Sequence, residues 1–213
     1  IFDNAGRTGR QHQELGERRA LEWLSRCAAQ GLVAWNSPAQ LERCILALAH
    51  LVDFAQNDTL RELAAVVLDK LLFALALNSF KGVLGATHGD SHAPYLTDGR
   101  LEPTSGVGKL LWGMGCYNPS IAATVSLACS EEYSLPTLLA SIAQDRPDEM
   151  LSRECHVIGP VQKVHIVTYK TPDYMLSSAQ DYRPGEPGAR EHIWQATLGS
   201  DAVVFVNHPA CAS

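Results

Sequence analysis

The hydrophobic period of this chain changes once. Between residues 11 and 145 apolar side chains recur every three or four positions, and after Pro147 they recur every two. Helices followed by strands, without alternation, do not supply the βαβ units of a parallel sheet, so the two kinds of element must occupy separate layers or domains. We therefore expect an α+β, multidomain protein, with a helical part over residues 1–150 and the start of an antiparallel β domain over 151–213.

Leu21, Leu24 and Ala28 mark a first helix, which Gly31 can end in a left-handed conformation. In "NSPAQLERCILALAHLVDFA", Ser37 is a suitable N-cap and Pro38 suits the first helical position. Leu41, Ile45, Leu48, Val52 and Ala55 then follow on one stripe. Asn57 or Asp58 caps a third helix over 60–77, where Leu60, Ala64, Val67, Leu71 and Leu75 form the main stripe and Leu63, Val66, Leu68, Leu72 and Phe73 widen it. A helix apolar nearly all round must pack between neighbours, and the short connection at Gln56 and Asn57 makes the second and third helices an antiparallel hairpin. Shorter helices are expected at 107–116, 121–128 and 136–144. Beyond Pro147, "VQKVHIVTY" puts Val161, Lys163, His165, Val167 and Tyr169 on one strand face, and "MLSSAQ", "HIWQATL" and "AVVFVNH" read as further strands separated by turns such as "RPGEPGA".

With 213 residues, 46% of them apolar and 19% charged, the chain can bury a sizeable core. Its net charge of −6 provides no basic stripe for a phosphate backbone, so nucleic acid is not an expected partner. The longest apolar run, 64–77, is interrupted by Asp69 and Lys70 and is too short to span a bilayer, so no membrane partner is expected either. Six cysteines without a CxxC pair read as free thiols rather than as a disulfide framework or a zinc cage.

The densest polar chemistry lies in "NSFKGVLGATHGDSHAPY", residues 78–95, which follows the most apolar helix. His88, Asp90 and His92 stand at steps of two, as ligands on one side of an extended segment would, but no HExxH or CxxC accompanies them and solvated turn residues explain them equally; no metal is expected. "GVLGATHGD" lacks the order of a phosphate loop and follows a helix where a strand is required. Acid and base chemistry fits better, since His88, His92 and Tyr95 can all move protons from a loop at a rigid helix end. Upstream, "AWNSP" puts Trp35 and Asn36 just before a helix N-terminus, where a carboxylate would meet the helix dipole and the Asn36 amide; Asn36 as a simple turn residue is the competing account. Downstream, alternation in "EHIWQATL" gives His192 and Trp194 a common strand face.

These residues and their order resemble the heparinase-like and oligoalginate-lyase families of polysaccharide lyases. An Asn sits at the start of one helix, a His and a Tyr follow on a later loop, and another His comes from the β region. Bacterial toroid proteins of that group carry "LNSFxGVxGxTHG" and "DYRPGEPGAxEHIWQATL", as this chain does, whereas the families' Asn-Asn-His-like run is "WNSP" here. The resemblance implies an (α/α) toroid of helical hairpins joined to an antiparallel β-sandwich. It also implies cleavage of a uronic-acid-containing oligo- or polysaccharide by β-elimination. Asn36 would neutralise the uronate carboxyl, Tyr95 and His88 would serve as base and acid, and His192 would join from the β side; Asn36 precedes His88 by 52 residues and Tyr95 by 59. Trp35, Trp112 and Trp194 are candidate sugar platforms, with Asn78, Asp90 and His92 as further substrate contacts, and no cofactor is implied. A homo-oligomer is possible on this scaffold, in the cytoplasm or the periplasm of a bacterium. The chain opens at Ile1 and ends at "FVNHPACAS" before a sandwich could be completed, so we expect a fragment of both domains.

Two rivals share the helical scaffold. A glycoside hydrolase needs two carboxylates about 5–10 Å apart, which Asp90 with Glu102, Asp98 or Glu191 could supply. A carbohydrate-binding protein would keep the fold without chemistry.

Overall fold

The computed structural model of the protein describes residues 6–32, 34–158, 163–180 and 192–207. Val161 and Gln162 of the expected strand, the turn at 185–188, Glu191 and Cys211 lie outside the described residues. The architecture is α+β, with seven α-helices and two antiparallel sheets among the described residues.

Helix α1, Gly9–Gln30, starts at a capping box in which Thr8 and Gln11 exchange side chain-to-backbone bonds. Gly31 ends it at φ 81° and ψ −168°, a glycine conformation outside the left-handed helical well that was expected. Lys70 caps the end from outside, donating to the Ala28 carbonyl and to that of Cys27, which also accepts the Gly31 N–H. Helix α2, Pro38–Phe54, has Ser37 as its N-cap and Pro38 at its first position, as expected. Helix α3, Asp58–Asn78, takes its N-cap from Asn57, whose side chain accepts the Leu60 N–H at 3.0 Å. Leu60, Ala64, Val67, Leu68, Leu71, Leu72 and Leu75 of α3 are buried, because α1, α2 and α7 all pack around it. Val66 and Phe73, read as widening the stripe, are instead 59% and 43% exposed.

Directly after α3 comes a hairpin too short to leave a period in the sequence: β1, Ser79–Phe80, pairs with β2, Val83–Leu84. Its turn places Lys81 at φ 48° and Gly82 at φ 87°, the double positive-φ geometry that matches the twist of a two-residue hairpin. A Cβ on Gly82 would lie 2.8 Å from the Gly115 amide nitrogen, so glycine is required for space as well as for φ. The short helix α4, Ala93–Thr97, and a 3₁₀ turn, Gly99–Leu101, lead to α5, Ser105–Trp112. Helices α6, Ala122–Cys129, and α7, Thr137–Gln144, complete the helical part close to where they were expected.

The remaining strands form one meander in the order β3, Met150–Val157; β4, Lys163–Lys170; β5, Met175–Ala179; β6, His192–Gly199; β7, Ala202–Asn207, each antiparallel to the next. Strand β3 is not among the strands expected from the sequence. The inner face of this sheet packs on the helical part. Val164 and Ile166 meet Trp35, and Met175 meets Phe80 and Ala86. Lys170, 2% exposed, donates to the carbonyls of Leu77 and Ser79 at the end of α3. The Ser177 hydroxyl accepts the Thr87 N–H at 3.0 Å and lies 3.2 Å from both the Thr87 and Thr168 hydroxyls. A bulge between His192 and Trp194 breaks the alternation assumed for β6, so His192 points inward with no exposed surface while Trp194 points out at 37% exposure. Their expected common face is therefore corrected: one extra residue in the strand reverses the side on which Trp194 emerges.

The thiols are free among the described residues, although only Cys27 is buried; Cys44 and Cys116 are half-buried, and Cys129 and Cys155 are exposed. No described helix is long and apolar enough to cross a membrane.

Candidate functional site

The loop between β2 and α4 meets two distant parts of the chain. Its Gly89 N–H donates to the Trp35 carbonyl at 2.9 Å, and its His88 carbonyl accepts the His192 N–H at 2.9 Å. The first bond ties it to the turn before α2. The second makes an isolated antiparallel bridge to the start of β6. Gly89 packs against the Trp35 indole, where a Cβ would stand 3.2 Å from Nε1, a contact that a larger residue could make only if the indole shifted by a few tenths of an ångström.

Through that bridge His88 and His192 become neighbours. Their Nδ1 atoms are 3.3 Å apart and their rings meet edge to face at 4.7 Å between centroids. The His88 ring nitrogen Nδ1 also lies 3.2 Å from the Ala86 carbonyl. A carbonyl only accepts, so the proton is assigned to Nδ1 of His88, and Nδ1 of His192 faces that N–H as an acceptor. Nε2 of His88 is then a bare lone pair and Nε2 of His192 carries a proton; both atoms are buried without a hydrogen-bond partner. Burial lowers the pKa of His88 to about 4, against the opposing pull of the Ala86 carbonyl and Asp90. Burial, and then the proximity of His88, takes His192 down to about 2. At neutral pH the pair is uncharged, with one face able to take a proton and the other able to give one.

Tyr95 lies on α4 and lines the same crevice as His88, together with Glu102, Gln195, Leu84 and Val203. The crevice as it stands has room for little more than one water molecule. Asn36 sits in the turn bonded to the loop, at φ 50° and 4% exposure, with its Nδ2 buried and unpaired. The structure thus joins His88 to His192 directly, places Tyr95 in the crevice that His88 lines, and fastens the Asn36 turn to the same loop.

Other candidates are elsewhere. Asn78 is fully buried at the end of α3, donating to the Ala74 carbonyl and to Glu154 of β3 at 2.9 Å, so it faces the first strand of the sheet. Asp90 and His92 lie 3.6 Å apart at the loop's outer end, where the His92 ring meets Tyr95 edge-on at 5.6 Å. Trp35 and Trp112 are 3% and 4% exposed, packed respectively against the sheet and in the helical core, so neither presents a ring to solvent. Among the described residues no group of three or more His, Cys, Asp or Glu side chains could hold a metal ion.

Glu102 is the buried acid that the sequence reading named only as a possible hydrolase partner. Its carboxylate accepts the N–H groups of Leu84 and Thr104 at 3.2 and 3.1 Å and the Thr104 hydroxyl, and so ties β2 to the start of α5. Burial raises its pKa and these three donors oppose the rise. Gln195, brought inward by the bulge, donates to Thr197 and to the Leu84 carbonyl. Neither residue has a motif around it, and only the folded register shows that they line the crevice.

No family model, curated protein or solved structure matches this chain.

Proposed function

We propose that this chain is part of a carbohydrate-active enzyme built as an (α/α) toroid with an antiparallel β-sandwich, in the manner of the heparinase-like and oligoalginate lyases, and that it cleaves a uronic-acid-containing oligo- or polysaccharide by β-elimination. The observation that carries this reading is the contact between His88 and His192 across the junction of helices and sheet, beside a crevice that His88 and Tyr95 line together. Elimination needs the uronate carboxylate neutralised so that the C5 proton becomes acidic, which is a problem of electrostatic stabilisation. The unpaired Nδ2 of Asn36 is a donor with no competing partner, suited to that carboxylate. Nε2 of His88, neutral and unprotonated, accepts the C5 proton; the electron pair forms the C4–C5 double bond, the C4–O4 bond breaks, and the leaving oxygen takes the proton of the Tyr95 hydroxyl, which is restored from water after product release. His192 positions the His88 ring through the Nδ1 contact. Because the crevice is narrow, substrate binding requires α4 to move away from β6, carrying Tyr95 with it.

A glycoside hydrolase is the second reading, favoured by buried Glu102 in the same crevice. The three donors to that carboxylate come from the protein itself, and half-buried Asp98 is paired with Arg100, so Glu102 and Asp98 are both engaged in structural contacts. The test is incubation with a panel of polyuronates while ultraviolet absorbance is followed. Unsaturated products, lost by a factor of about 100 or more in His88→Ala and Tyr95→Phe, support elimination. Saturated reducing sugars that vanish in Glu102→Gln would move the assignment to hydrolysis, and binding without turnover that survives both substitutions would leave a carbohydrate-binding protein.

A further inference from the structure

Three buried side-chain atoms without a hydrogen-bond partner lie along one seam: Oδ1 of Asn78 at the end of α3, and Oγ of Ser152 and Nε2 of His156 on β3. A buried polar atom left unpaired costs free energy, so three in one place point to a ligand that supplies what the chain does not. Ser152, Glu154 and His156 alternate along β3 and share its half-buried side. That side faces the helix ends. Asn78, with no exposed surface, donates its Nδ2 to Glu154, and a Cβ on Gly31, the residue that closes α1, would stand 3.3 Å from Nδ1 of His156. Strands β4 and β5 separate β3 from β6, a distance of roughly 14 Å across the sheet, so the seam is distinct from the pair formed by His88 and His192.

A carboxylate only accepts, so the Asn78 amide turns its nitrogen to Oε1 of Glu154 at 2.9 Å and is left with a bare oxygen. The same bond fixes the carboxylate. Its other oxygen, Oε2, stands 3.5 Å from Nε2 of His156, and no hydrogen bond joins the two. Two ligand atoms on a tetrahedral zinc ion, each about 2.0–2.1 Å from the metal, are roughly 3.3–3.4 Å apart. The observed spacing therefore suits two ligands of one ion better than a shared proton. The side chains of Glu154 and His156 are 15% and 13% exposed, which leaves an ion a way in from solvent. Imidazole with carboxylate selects zinc and its transition-metal neighbours, whereas calcium and magnesium take oxygen alone. Among the described residues no third His, Cys, Asp or Glu joins the pair. The remaining positions fall to neutral oxygens and water, as in an open zinc site rather than a closed one.

We propose that Oε2 of Glu154 and Nε2 of His156 bind one zinc ion in the seam between β3 and the ends of α1 and α3, with Asn78 holding the carboxylate in place. The amide oxygen of Asn78, the Ser152 hydroxyl and water surround the ion. An ion held only by the folded arrangement ties the edge strand of the sheet to the helices and stabilises the fold. Calorimetric titration of the chelator-treated protein with zinc chloride should show one equivalent bound, and the melting temperature should rise as zinc is added. Glu154→Gln and His156→Gln should each weaken binding at least about 10-fold and abolish the rise in melting temperature. Cys155→Ser should leave both intact, because Cys155 emerges on the opposite, exposed side of the same strand. Cobalt(II) bound to the wild type should show a spectrum without a thiolate charge-transfer band, a readout that holds even if a variant fails to fold. A zinc equivalent that survives both Gln substitutions, or one lost in Cys155→Ser, overturns the proposal. A thiolate band overturns it too, as does the absence of zinc binding, which would leave the three unpaired atoms to ordered water.

Discussion

In an unfolded chain the imidazoles of His88 and His192 take up protons near pH 6.5, whereas burial in the fold holds the first to about 4 and the second to about 2. Below pH 6.5 the unfolded chain therefore binds more protons than the folded one, and stability must fall as pH falls; above it these two groups add no slope. His88 alone accounts for ~3 kcal/mol of that loss by pH 4. Denaturant melts of the wild type and of His88→Gln should differ in slope between pH 6.5 and 4, and parallel curves would show that the pair does not titrate as its burial demands. Gly82 offers a second test at this scale. Alanine there would bring a Cβ within 2.8 Å of the Gly115 nitrogen at an unfavourable φ of 87°, so Gly82→Ala should cost roughly 2–4 kcal/mol in thermal or chemical unfolding. The residues of the crevice were only partly legible in the sequence. Imidazole and phenol advertise proton chemistry wherever they stand, so His88, Tyr95 and His192 could be named. Glu102 and Gln195 depend on which side of a backbone they emerge, and the bulge before Trp194 is invisible in a pattern of period two.

Elements announced themselves in proportion to their length and caps. The helices α2 and α3 carry Ser37, Pro38 and Asn57 at their starts and several turns of periodic apolar residues, so local chemistry and burial agree. The hairpin of β1 and β2 offers two residues per strand, too few for any period, and its Lys81–Gly82 turn is the sole local sign of it. Strand β3 alternates between half-buried and exposed rather than apolar and polar: its half-buried side carries Ser152, Glu154 and His156, with Glu154 accepting from Asn78, while Leu151 stands on the exposed side. Between elements, lysines bridge helix ends to their surroundings, and Lys170 is the most deeply buried of these. Burial lowers its pKa to about 8 from the usual 10.5. The unfolded chain binds more protons between those values, so this group makes stability rise with pH across that window. Lys170→Met should remove that rise relative to wild type while costing roughly 1–3 kcal/mol near pH 7 from the stranded Leu77 and Ser79 carbonyls. Melts at pH 8 and pH 10 on both proteins check it; an undiminished rise in the variant would assign it to other groups.

At the scale of the whole molecule, the helical part and the sheet are joined by buried contacts throughout: Trp35 on Val164 and Ile166, Thr87 on Ser177, Lys170 on the end of α3, and His88 on His192. The division near residue 150 was readable because the hydrophobic period changes there. The docking across it was not, because pairs such as Thr87 and Ser177 stand 90 residues apart with no local mark of their partnership.

The bridge that brings His192 to His88 closes a loop of 104 residues. Closing so long a loop carries an entropy cost that neighbouring helices and hairpins do not meet, since they form from contacts close in sequence. Assembly of the crevice is therefore expected to be the last event on the way to the native state. In pulse-labelled hydrogen exchange during refolding, the amides of Gly89 and His192 should become protected after those of α2 and α3; simultaneous protection would mean that the distant strands dock before the helices consolidate.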